Sequence, residues 1–228
     1  MRHPAQSDYT LGGDVTMSED KNLSAIADPG PLGLAGFAMT TFVLSMINAK
    51  LVPGTIHSTF LTLALFYGGL AQMLAGMWEF KKNNTFGATA FTSYGAFWLA
   101  LASIVLFEEL GLIDFGPDRN IAIGLFLVAW TVFTFYMWIG SLKTNNALVF
   151  IFTTLVITYV LLDLAEFNII SSSVPGGIMG LICAAGAWYT SAAGIINSVH
   201  GRVVLPVGPR TSKASRSPAV KISMKAKG

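Results

Sequence analysis

Six apolar blocks follow one another along the chain, at about 33–52, 56–80, 86–107, 121–142, 146–166 and 177–200, with short polar or charged breaks between them. Each is apolar on all sides rather than striped, as a helix in lipid or in the middle of a bundle requires. Each also approaches or exceeds the roughly 20 residues that a helix needs to cross a bilayer. Membrane strands would instead alternate every second residue over about ten positions, and "GLFLVAWTVFTFYMWIG" at 124–140 does not alternate. The pattern predicts an all-α membrane protein of six transmembrane helices packed as a bundle.

Composition agrees, with 53% hydrophobic and 11% charged residues in a chain of 228; soluble domains carry about a quarter charged residues. The charge collects at the two ends. Residues 1–28 lack an apolar core and contain "SEDKN", so they are expected to be a disordered polar extension rather than a signal peptide, and the first span directs insertion. Residues 202–228, containing "GPRTSKASRSPAVKISMKAKG", are expected to form a basic, disordered tail in contact with solvent or anionic lipid, with no nucleic-acid role. Residues 29–201 form the membrane domain.

With six spans drawn, twelve of the fourteen Lys and Arg fall on the side that holds both ends, including Lys81, Lys82 and Lys143. Only Lys50 and Arg119 fall on the other side. Positive loops stay inside, so both termini are expected to be cytoplasmic. The opposite face carries Glu108, Glu109, Asp114 and Asp118 with Asp163 and Glu166 nearby, and an acidic mouth does not concentrate anions.

Catalytic material is scarce. His3, His57 and His200 all lie outside or at the ends of spans, Cys183 stands alone as a packing residue, and neither metal-ligand spacing nor a nucleophile or phosphate motif occurs. No enzyme activity, metal or cofactor is expected; a path for a solute is the better class.

Polar residues inside spans support that class, since in lipid they need a cavity or a partner. Gln72 and Glu79 lie seven apart, two helical turns, and so share one face. Gln72 fits either the lining of a pathway or a bond between helices. Glu79 fits either an interfacial ion pair with Lys81 or Lys82, or proton and substrate handling. Thr40, Thr92, Tyr94, Tyr189 and Asn197 add neutral hydrogen-bonding groups, and for each threonine a bond to its own helix backbone is the plain alternative. Gly176, Gly180 and Ala184, and likewise Gly186, Thr190 and Gly194, recur every fourth position and predict close helix packing in the last span.

The stretches "DPGPLGLAGFAMTT" (28–41), "FYGGLAQMLAGMWEFKKNNTFGATAFTSYGAFW" (66–98) and "GLICAAGAWYTSAAGIINSVHGRVVLPVG" (180–208) closely resemble the acetate uptake transporter family, across nearly all of residues 28–208. The resemblance implies a six-helix protomer in a homo-hexameric ring, with a pore in each subunit. It further implies transport of acetate, related short monocarboxylates or succinate across the cell (inner) membrane, by proton symport or as a channel.

The family's opening motif is an asparagine followed by Pro-Ala-Pro-Leu-Gly-Leu. Here Asp28 and Gly30 replace the Asn and Ala, while Pro29, Pro31, Leu32, Gly33 and Leu34 match. The prolines predict an extended segment that turns into a helix whose first-turn N–H groups attract an anion. Asp28 weakens that attraction, caps the helix or titrates. The resemblance also implies a pore constriction at Phe37, Tyr94 and Leu155, which is hard to wet and so favours acids with small tails.

Around it, the Tyr94 hydroxyl is expected to hold the carboxylate, with Thr40, Gln72, Thr92, Tyr189 and Asn197 as lining groups. Asp28 and Glu79 are the proton-coupling candidates. Two alternatives stay open: a passive channel for acetate or for another small solute such as ammonium, and a membrane sensor. The second is disfavoured because the tails are too short and polar to pack a core.

Overall fold

The computed structural model describes residues 26–210. The expectations for the N-terminal extension before that point, including His3, and for the tail from residue 211 lie outside the described residues. Six helices cross the molecule: α1 (Gly30–Asn48), α2 (Gly54–Lys81), α3 (Thr85–Glu109), α4 (Arg119–Ser141), α5 (Asn146–Glu166) and α6 (Val174–His200). All six are long and apolar enough to span a bilayer, and no strand forms among the described residues.

The start of α1 corrects the expectation of an extended segment. Pro29 already has helical dihedrals (φ −78°, ψ −13°), and Pro31 sits inside the first turn, where its missing N–H costs nothing. Residues before proline avoid the helical region partly because their Cβ meets the proline ring. Gly30 has no Cβ, so the helix begins there, three residues before the apolar block. It also ends earlier than residue 52, at Asn48, and the chain turns away through Lys50 at φ 55°.

α2 is one long span but not one regular helix. It opens with a 3₁₀ turn at Gly54–Ile56, runs as α-helix over Thr59–Leu65, passes through a π-helical segment at Phe66–Ala71 and resumes over Gln72–Lys81. A π-turn holds an extra residue and rotates everything beyond it. It is seated at Gly68, where an added Cβ would lie 2.9 Å from Cδ1 of Trp98 and against the Thr40 hydroxyl.

α6 packs between α1 and α5. Along the small-residue seams, Gly180 meets Ser45 and Gly194 meets Pro31 of α1, while Gly176 meets Leu162 and Gly186 meets Phe150 of α5. Both seams are thus used within the chain. Cys183 is fully buried on the same helix, its thiol 3.4 Å from the Ile151 carbonyl.

Helix starts at α3 and α5 are capped by asparagines. Asn84 Oδ1 accepts from the Gly87 amide at 3.1 Å and Asn145 Oδ1 from the Leu148 amide at 2.8 Å, satisfying donors that a helix leaves open. α6 ends on Gly201 in the left-handed conformation (φ 61°), the usual glycine stop.

Residues 202–210 then depart from the expected disordered tail. They fold back over the bundle end: Asn197 holds the amides of Val204 and Leu205 at 2.7 and 2.9 Å, and Asn146 and Ala147 donate to the carbonyls of Gly208 and Val207. Backbone groups with partners of this kind have no need of solvent, so composition alone misjudged this stretch. In the bundle interior, Phe37, Tyr94, Phe97, Trp98, Phe152 and Tyr159 form an aromatic core. Outward-facing Phe66, Leu125, Val132 and Val199 present apolar surface where lipid is the solvent.

Candidate functional site

Two cavities enter the bundle from opposite ends. The inner one, about 280 Å³, opens on the face that holds both described chain ends, and Pro31, Gln72, Glu79, Asn84 and Phe86 are among its walls. The outer one, about 250 Å³, is bordered by Thr41, Asn48, His57, Trp98, Arg119 and Glu166. Each has room for several waters at about 30 Å³ apiece, and so for a small solute. Phe37 and Leu155 line both cavities, and Tyr94 lines the inner one beside Phe37. All three are buried, with the Phe37 and Tyr94 ring centroids 5.9 Å apart.

Tyr94 is fixed from behind. Its hydroxyl donates to Thr134 Oγ1 of α4 at 2.9 Å, and Phe133 and Phe152 pack against its ring. Against the expectation that this hydroxyl holds a carboxylate, its proton is directed at Thr134, so Tyr94 offers ring surface to the junction. Thr134, fully buried, was missed by sequence reasoning, because nothing along the chain pairs positions 94 and 134.

Gln72 and Glu79 do share a face, and that face lines the inner cavity. Both are nearly fully buried, and Gln72 Oε1 has no hydrogen-bond partner. Glu79 departs from the expected lysine pairing. Its Oε2 accepts from Asn84 Nδ2 at 2.8 Å, whereas Lys82 reaches Asp28 Oδ1 at 2.9 Å. The backbone turns through Asn83 at φ 56°, which carries the chain around so that Asn84 meets the Glu79 carboxylate. The same Asp28 Oδ1 accepts from the Gly30 amide at 3.1 Å, a local bond one residue ahead of the N-cap position, which is Pro29.

The rest of the opening motif divides. Pro31 lines the inner cavity and its carbonyl accepts from Ser191 Oγ at 2.7 Å, Pro29 and Gly33 are buried in packing, and Leu32 faces outward.

The other lining candidates lie elsewhere. Thr40 lines neither cavity and donates back to the Gly36 carbonyl at 2.9 Å. Thr92 is wedged against Gly76 at the α2–α3 contact, its hydroxyl without a partner. Tyr189 faces the bundle exterior and donates to the Pro206 carbonyl at 2.8 Å. Asn197 touches the inner cavity, but its amide is spent on residues 204 and 205. No cluster of His, Cys, Asp and Glu among the described residues is arranged to hold a metal ion.

An end-to-end pair of cavities inside six spans is the architecture of a transport protein, and comparison with known proteins agrees. Residues 12–210 match the family described as GPR1/FUN34/yaaH. The chain belongs to that family. It is 43% identical over 184 residues to the succinate-acetate/proton symporter SatP of Escherichia coli K12, spanning 80% of this chain and 96% of that protein. It is 38% identical over 216 residues to acetate permease A of Emericella nidulans, spanning 86% and 72%.

Ammonia transport outward protein 2 of Saccharomyces cerevisiae is 41% identical over 184 residues, 78% of this chain and 65% of that one. Among solved structures, the bacterial acetate channel SatP superposes with a TM-score of 0.75 at 42% identity, covering 80% of this chain and 99% of that chain. These relatives are named as transporters or channels and not as enzymes. With six spanning helices and this kinship, the chain is an integral, multi-pass protein of the inner membrane.

Proposed function

We propose that the chain moves acetate and related short carboxylates, succinate among them, through a pore enclosed by a single subunit and narrowed at Phe37, Tyr94 and Leu155. The observation that carries this reading is the meeting of the two cavities at Phe37 and Leu155. Two aromatic rings and a leucine give a solute no hydrogen bonds, so a carboxylate sheds water to pass and a small tail lowers the steric cost. A symporter and an acetate permease among its relatives support the same cargo.

Proton coupling has a physical rationale in the inner cavity, where the Glu79 carboxyl is nearly fully buried. An anion passing a buried carboxylate is repelled, and a proton on either group removes the repulsion. Transport of one proton with each carboxylate follows, with Glu79 as the carrier group and Asp28 at its rim. On the same reading the chain assembles as a hexamer, and each subunit would keep its own pore because one chain encloses both cavities.

A second reading is a passive channel for ammonium or another small solute. The relative named for ammonia transport favours it, as do the carboxylates of the inner cavity.

Labelled acetate and methylammonium uptake into liposomes holding the full chain, with and without an imposed proton gradient, separates these. Gradient-driven accumulation of acetate above equilibrium supports the symporter, while downhill acetate flux alone supports the channel. Methylammonium flux without acetate flux overturns the carboxylate reading.

A further inference from the structure

Among the described residues, Arg119 is the one Lys or Arg that lines either cavity, and it stands at the outer mouth at the start of α4. Its guanidinium is gripped along one edge by Glu108 of α3, Nε to Oε1 at 2.8 Å and Nη2 to Oε2 at 3.0 Å. A guanidinium has five N–H donors in a planar fork, so this grip leaves the edge formed by Nη1 and Nη2 with a second parallel pair. That free edge matches the two oxygens of another carboxylate.

Exposure separates the roles of the pair. The Glu108 side chain is 18% exposed and that of Arg119 46%, so the carboxylate is the seated member and the guanidinium the open one. Its neighbours do not occupy the free edge. Glu109 accepts from Ser58 at 2.9 Å and lies 3.7 Å from His57, and Glu166 shares the cavity wall close enough to feel the Arg119 charge but makes no direct ion pair with it.

We propose that Arg119 is a capture site for the carboxylate of the transported acid, held in position by Glu108; this rests on the carboxylate reading given above. The pair answers the problem of an acidic mouth, since it sets one fixed cation on the cavity wall. Because Glu108 cancels most of that charge, capture is weak, and weak successive sites are what conduction needs.

The test is initial uptake of labelled acetate and succinate by cells that express the full chain and lack other carboxylate uptake, across acid concentration and ionic strength. R119Q raises KM about two- to fivefold, the range of an exposed ion pair, with kcat unchanged and a flatter salt dependence. R119K restores the salt dependence and part of the KM, lacking the fork. E108Q frees the charge and lowers KM.

R119Q with wild-type KM and salt dependence overturns the proposal. So does a rise in KM for both R119Q and E108Q, which marks the pair as a clasp between α3 and α4. Should R119Q fail to reach the membrane, R119K and E108Q decide by the same criteria. Wild-type cells that move no carboxylate overturn the underlying reading, and the capture site with it.

Discussion

Phe37 of α1 and Leu155 of α5 are the two side chains common to the walls of both cavities, so the inner and outer cavities share one pair of residues. If the proposed constriction lies there, substitutions at either residue are expected to act first on cargo size.

Leu155→Val trims the junction gently, and Leu155→Ala opens it further. The second removes a buried leucine, at a cost of about 2–5 kcal/mol, so Val is the safer probe. Both are expected to raise uptake of longer monocarboxylates relative to acetate, read by competition against labelled acetate. Size selectivity that does not move would count against a constriction at Leu155.

Tyr94 and Thr134 form a buried hydrogen-bonded pair. Thr134→Val strands the phenol and is expected to lower stability by about 1–3 kcal/mol, whereas removing both groups in Tyr94→Phe with Thr134→Val recovers most of that loss. Thermal unfolding in detergent measures it. Equal destabilisation by the single and double variants would dissociate the two residues.

Glu79→Gln retains an oxygen that can accept from Asn84, and so spares the local bond while removing the titrating group. Gradient-driven accumulation of acetate should fall away while downhill flux persists. Full accumulation in this variant would clear Glu79 of proton coupling and shift attention to Asp28.

Asp28 and Lys82 are partly open to water, which limits their ion pair to about 1 kcal/mol. Asp28→Asn retains the acceptor for the Gly30 amide and should cost at most that amount, with the difference vanishing at high salt. A salt-independent loss of several degrees in Tm would mean that the charge acts on the fold by another route.

Asn197→Ala removes three bonds to residues 204 and 205. Faster hydrogen exchange and proteolysis within 202–210 are expected, at unchanged KM for acetate. A raised KM with that segment still protected would restore Asn197 to the pathway.

Much of this protein was legible from residue order. Six spans follow from apolar runs of bilayer length, since lipid leaves a backbone few ways other than a helix to satisfy its polar groups; the asparagine caps at 84 and 145 and the glycine stop at 201 emerged only from the structure. Gln72 and Glu79 could be put on one face because their separation is a whole number of turns within one regular helix.

Tertiary structure alone decided the partners. The sequence put Glu79 beside two lysines, but the backbone turn through Asn83 brought Asn84 to its carboxylate and sent Lys82 to Asp28, fifty-four residues away. The π-turn in α2, the Tyr94–Thr134 bond and the folding back of residues 202–210 depend likewise on which helices lie side by side. Local pattern records the solvent each residue faces, whereas a hydrogen bond between helices depends on a distance that chain order does not contain.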